Sequence, residues 1–161
     1  MKEKKVIGKR EIISILDLDL HDLDAKVDTG ADSNALHCDN IVIENDMVHF
    51  CLLDEVHESY HGKRMSLPLY KVKKVKSSNG EIQLRPSIKV SVEFMGKKYK
   101  SIISLTNRAD MKFPMLIGRR FMQGRFLVDV SKEYMSKEIK KETKWSFIYY
   151  QEMQSYTQLQ D

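Results

Sequence analysis

Apolar and polar residues alternate through most of this chain with a period of two, the pattern of a strand that buries one face. Pro86 to Met95 shows it most clearly: Ile88, Val90, Val92 and Phe94 share one face, and Ser87, Lys89, Ser91 and Glu93 share the other. Such spacing cannot serve a helix, whose apolar positions recur every 3.6 residues. Lys98 to Leu105 reads as the partner strand, because Met95-Gly96-Lys97 is a short, glycine-containing hairpin turn. A second hairpin is expected between Tyr70–Lys76 and Glu81–Arg85, joined through Ser77-Ser78-Asn79-Gly80, where Asn-Gly supplies the positive φ of a tight turn.

Lys9 to Leu16 and Asp24 to Val27 read as strands on either side of a polar connection holding Asp17, Asp19 and Asp22. After Gly118, the segment Arg119 to Gln123 has room for one short helix, which Gly124 can stop. Arg125 to Val130 reads as a late strand. The expectation is a mainly β domain over residues 1–134, followed by a C-terminal appendage, residues 135–161, with helical character. Its charge-rich stretch Lys132–Lys144 precedes the aromatic cluster Trp145 to Tyr150.

With 161 residues, 42% hydrophobic and 31% charged, the chain has apolar material for one ordinary core. No stretch reaches the roughly 18 apolar residues of a membrane helix. The start, Met1-Lys2-Glu3-Lys4-Lys5, lacks the apolar core of a secretion signal, so a cytoplasmic location is expected, with no membrane partner. Cys38 and Cys51 are too few for a disulfide framework and not spaced as a thiolate metal site. The net charge of +4 is spread along the chain, which argues against a nucleic-acid surface. The arm Tyr70-Lys71-Val72-Lys73-Lys74-Val75-Lys76 is nevertheless basic, as a solvated edge strand or as a surface for acidic peptides.

The chemistry-bearing motif is Asp28-Thr29-Gly30-Ala31, placed where an alternating strand ends. A carboxylate there is followed by a hydroxyl able to bond backbone and by a residue without a side chain. Alone it is also an ordinary strand-end turn, since Asp-Thr-Gly arises by chance in roughly a few per cent of chains this long. Met115-Leu116-Ile117-Gly118-Arg119 adds a second element, an apolar run that ends in Gly-Arg before the expected helix.

Asp28 to Asp32, the Asn79-Gly80 hairpin, the Gly96 hairpin and Ile117 to Arg119 occur in the order seen in retropepsin-like aspartic proteases, which this chain resembles. Lys26-Val27-Asp28-Thr29-Gly30-Ala31, Ser33-Asn34-Ala35-Leu36-His37, Leu105-Thr106-Asn107-Arg108 and Gly124-Arg125-Phe126-Leu127-Val128-Asp129 extend the likeness. They are similar to the bacterial and archaeal branch labelled ATP-dependent zinc proteases. The resemblance covers about residues 5 to 134 and implies a closed, pseudo-barrel acid-protease fold.

It also implies a symmetric homodimer in which Asp28 meets its own copy, the pair sharing a proton while activating a water on a peptide or amide substrate. Thr29 would bond across the dimer, and Gly30 with Ala31 would shape the loop. Asp32 would pair with Arg119 beneath the site, following Gly118, and Ser77, Ser78, Asn79 and Gly80 would form a flap over substrate. Two departures stand out: extra residues between about Asn40 and Pro68, and Arg120 where those enzymes often have Asn. Family members often accompany ligases that add glutamate to proteins, which points to acidic or glutamate-extended substrates. No cofactor is expected.

Two other readings stay open. His57-Glu58-Ser59-Tyr60-His61 matches the H-E-x-x-H zinc pattern, with Glu58 as base and Glu81 as a third ligand. Gly62 and flanking strand patterns disfavour the helix that motif requires. A phosphate-binding Gly-rich loop is lacking, so ATP dependence would come from a partner. The third reading is a dimeric peptide-binding module without turnover. His21, His37 and His49 have no ligand spacing and take packing or surface roles.

Overall fold

The computed structural model describes residues 3–53, 62–76, 78–107, 112–139 and 151–154. As the alternation requires, the described chain is mainly strand: β1 (Lys5–Ile7), β2 (Arg10–Ile15), β3 (Leu20–Val27), β4 (Asn34–Glu44), β5 (Met47–Leu52), β6 (Arg64–Pro68), β7 (Lys71–Lys76), β8 (Ile82–Phe94), β9 (Lys97–Thr106), β10 (Met115–Ile117) and β11 (Phe126–Val128). One α-helix, α1 (Arg119–Met122), follows Gly118, and residues 135–139 are also helical.

β10 closes the architecture. It lies parallel to β3 and antiparallel to β4, so the pairing order β10-β3-β2-β8-β9-β4 returns to β10 as a six-stranded ring. Inside it, Ile88, Val90 and Val92 are wholly buried and Phe94 nearly so, the face the alternation assigns to the core. Each such side chain contributes about 1.5–3 kcal/mol through removal from water. β1 and β11 form a separate parallel pair.

Several boundaries differ from the sequence reading for local reasons. Glu81–Arg85 and Pro86–Met95 are not separate strands but one, β8, whose first half pairs β7 and whose second half pairs β9. Buried Pro86 sits at the joint, where its fixed φ suits extended backbone. β3 begins at Leu20, four residues before the expected start, with Asp22 at φ 53 inside it. The extra segment after Asn40 is a β4–β5 hairpin turned by Asn45 and Asp46, both at positive φ, with β6 added alongside. Met95 and Gly96 turn the β8–β9 hairpin in the same way.

Residues 134–136 are docked onto β2 and β3. Glu11, fully buried, accepts hydrogen bonds from the Gly8 amide (2.7 Å), the Met135 amide (3.1 Å), and the Ser136 amide and hydroxyl (2.8 and 2.7 Å). Tyr134 donates its hydroxyl to Asp24 at 2.8 Å. The boundary expected after residue 134 therefore falls within a stretch bound to β2 and β3; residues 140–150 and 155–161 lie outside the described residues.

Candidate active site

β3 runs out at Val27, and the Asp28 amide donates to the Ile117 carbonyl of β10 at 2.9 Å. The following turn is pinned from within: one Asp28 carboxylate oxygen accepts the Gly30 amide at 3.0 Å, and the Asp28 carbonyl accepts the Ala31 amide at 3.2 Å. Gly30 does not use a left-handed φ. What it supplies is space, since a Cβ there would stand 3.2 Å from the Asp28 carboxylate. Asp28 is half-buried, whereas Thr29 and Gly30 are exposed.

The loop is braced from a segment some 90 residues away in sequence. A glycine is required at 118 because a Cβ would lie 2.6 Å from the Ser33 backbone. The Gly118 amide donates to the Asn34 side chain at 2.8 Å, and the Arg119 amide to the Ala31 carbonyl at 2.8 Å. The Arg119 guanidinium donates to the Thr29 and Gly30 carbonyls, both at 3.1 Å. Its contact with Asp32 is the longer one, at 3.8 Å, while Arg120 approaches Asp32 at 3.3 Å. The expected Asp32–Arg119 ion pair is thus present, while the hydrogen bonds of that guanidinium go to loop carbonyls, and Asp32 lies between two arginines. Edge-to-face contacts of Phe121 with Phe94 and Tyr99, at 5.6 and 5.4 Å between centroids, fasten α1 to the barrel.

The β7–β8 hairpin exposes Ser78, Asn79 and Gly80 at its tip, with Gly80 at φ +81. Ser77 lies outside the described residues. Asp28, Asp32, Leu116 and the cross-strand pair Lys73 and Arg85 line a cleft of about 310 Å³ between hairpin and loop. Arg85 Nε is buried without a hydrogen-bond partner among the described residues. Lys73 was legible only as part of a basic arm, and Arg85 and Asn34 were given no site role from the sequence. Asn34 carried a signal of its own, a polar residue in phase with the apolar Leu36 and Cys38.

His57, Glu58 and His61 lie outside the described residues, and Glu81 stands at the hairpin turn. Among the described residues, no three His, Cys, Asp or Glu side chains group as a metal-ligand set. Nor is any described helix long and apolar enough to cross a membrane.

A six-stranded barrel presenting one Asp-Thr-Gly loop, locked by a Gly-Arg segment and sharing a cleft with the arms of a hairpin, defines a retropepsin-like fold. The chain belongs to the RimB-like family: the model described as "Retropepsin-like aspartic endopeptidase RimB" matches residues 6–139. The crystal structure of Lpg0085 from Legionella pneumophila, a protein "with unknown function (DUF785)", is similar over 83% of this chain and 99% of that one, with a TM-score of 0.64 and 27% identity. Two curated relatives carry the name "Probable alpha-L-glutamate ligase". That from Shewanella halifaxensis is 30% identical over 81% of this chain, and that from Parasynechococcus marenigrum 31% over 80%. This chain spans less than a third of the length of either, 30% and 28%.

Proposed function

We propose that this chain is one half of an aspartic peptide or amide hydrolase, completed when two copies bring their Asp28 carboxylates together. The observation that carries the reading is the pinned Asp28 carboxylate on the wall of the cleft shared with the hairpin arms. Two facing carboxylates cannot both ionise cheaply, so the pair holds one proton. The ionised member takes a proton from water as that water adds to the scissile carbonyl, and the protonated member gives its proton to the carbonyl oxygen. The tetrahedral species then breaks its C–N bond: the departing nitrogen takes the proton the first carboxyl gained from water, and a hydroxyl of the tetrahedral species gives its proton to the second carboxylate, which restores the singly protonated pair. The exposed Thr29 and Gly30 are the loop residues that the twofold partner would cover.

Lys73 and Arg85 set the substrate class. Two cations on the cleft wall, one with an unmet buried donor, favour a carboxylate-bearing peptide. The ligase name of the relatives adds glutamate as the acidic residue. The test is cleavage of glutamate-rich and neutral peptides, followed by mass spectrometry, alongside sedimentation to count subunits. Asp28→Asn should abolish cleavage, and Lys73→Gln with Arg85→Gln should raise KM for acidic peptides while leaving neutral ones unchanged. Undiminished turnover by Asp28→Asn, or a strictly monomeric active form, would remove the reading. Inactivation by a chelator or by Glu58→Gln would favour zinc chemistry instead.

A further inference from the structure

Ser33 lines not only the cleft but also a second cavity of about 230 Å³. Four cationic residues, Lys89, Lys100, Arg120 and Arg125, line it, and no Asp or Glu is among its lining residues. Neutral groups hold three of the four in place. The Arg125 guanidinium lies over the Tyr99 and Phe121 rings at 5.0 and 5.5 Å, Lys100 donates to the Ser91 hydroxyl at 2.9 Å, and Lys89 sits 5.9 Å from the Tyr70 ring centre. Arg120 reaches Asp32, but that carboxylate is shared with Arg119. Like charges brought together repel, so the arrangement is stabilised most by an anion placed among them.

We propose that this cavity is an anion-binding site, distinct from the hydrolytic centre, for one compact oxyanion: a phosphate group or the carboxylate of an acidic side chain. The volume falls below that of cavities for drug-sized ligands, which restricts the occupant to a single small group. Two guanidinium forks match the paired oxygens of either chemistry, and the lysines add point charges.

Inorganic phosphate and glutarate are titrated separately into the isotope-labelled full chain, with amide shifts read against sodium chloride at matched ionic strength. Saturable shifts centred on Ser33, Asn34, Ser101 and Arg120 are expected. The double variant Lys100→Gln, Arg125→Gln should weaken binding about tenfold or more, and Lys98→Gln, outside the cavity, should not. Arg120→Gln alters a side chain that is 75% exposed and gives the same loss without disturbing the core. Saturation by phosphate alone assigns a phosphoryl ligand, and by glutarate alone a side-chain carboxylate. Shifts that never saturate, or affinity unchanged in both cavity variants, overturn the proposal. Asp28→Asn should bind as the parent does, which separates this site from the fate of the hydrolase reading.

Discussion

Replacing Glu11 with Gln exchanges one carboxylate oxygen for an NH2 group and should loosen the dock of residues 134–136. The carboxylate accepts four hydrogen bonds, from Gly8, Met135 and both donors of Ser136, with no exposure to water. An amide offers one acceptor oxygen. If its nitrogen faces Gly8 and Met135, two buried amides lose their partner; if it faces Ser136, the hydroxyl can turn to accept but the Ser136 amide cannot. Each orphaned buried donor costs about 1–3 kcal/mol, and the surviving bonds lose their charge assistance, about 1 kcal/mol each. The sum is about 4 kcal/mol, which in a chain of this size lowers Tm by about 8–16 °C. Thermal denaturation followed by circular dichroism measures the fall, and hydrogen exchange by mass spectrometry should show faster exchange at residues 132–139. A Tm within about 2 °C of the parent, with exchange there unchanged, would refute the assignment of Glu11 as the anchor.

Gly118→Ala should lower stability by about 2 kcal/mol, because its Cβ would stand 2.6 Å from the Ser33 carbonyl group and the loop must shift to admit it; chemical denaturation checks this, and an unchanged midpoint would contradict the packing argument. Burial pushes the Cys38 thiol well above its ordinary range, so it should resist a thiol-specific reagent at neutral pH until denaturant is added. Rapid labelling of Cys38 in the native protein, located by peptide mass mapping, would be the contrary result.

Much of this was legible in the residues, and what was not has identifiable causes. The strands of the β8–β9 hairpin were readable because one face is uniformly apolar, and the β7–β8 turn because Asn79-Gly80 names its own conformation. The β4–β5 turn was hidden because Asn45 and Asp46 take left-handed angles without glycine, and early β3 because Asp22 does so within a strand. Asp28 to Asp32 and Gly118-Arg119 could be found as local strings. Lys73 opposite Arg85 could not, since cross-strand register places them together. Glu11 did leave a trace: it is in phase with Ile13 and Ile15, where a charged residue needs an unusual reason to stand.

The stave that closes the barrel, β10, is three residues long and comes late in the chain. During synthesis, Asp28 leaves the ribosome long before Ile117 and Arg119, the residues that bond its loop. The nascent chain therefore carries its carboxylate in an unshaped turn, and the bonds from Ile117 and Arg119 that fix the loop form only once nearly the whole barrel has been made.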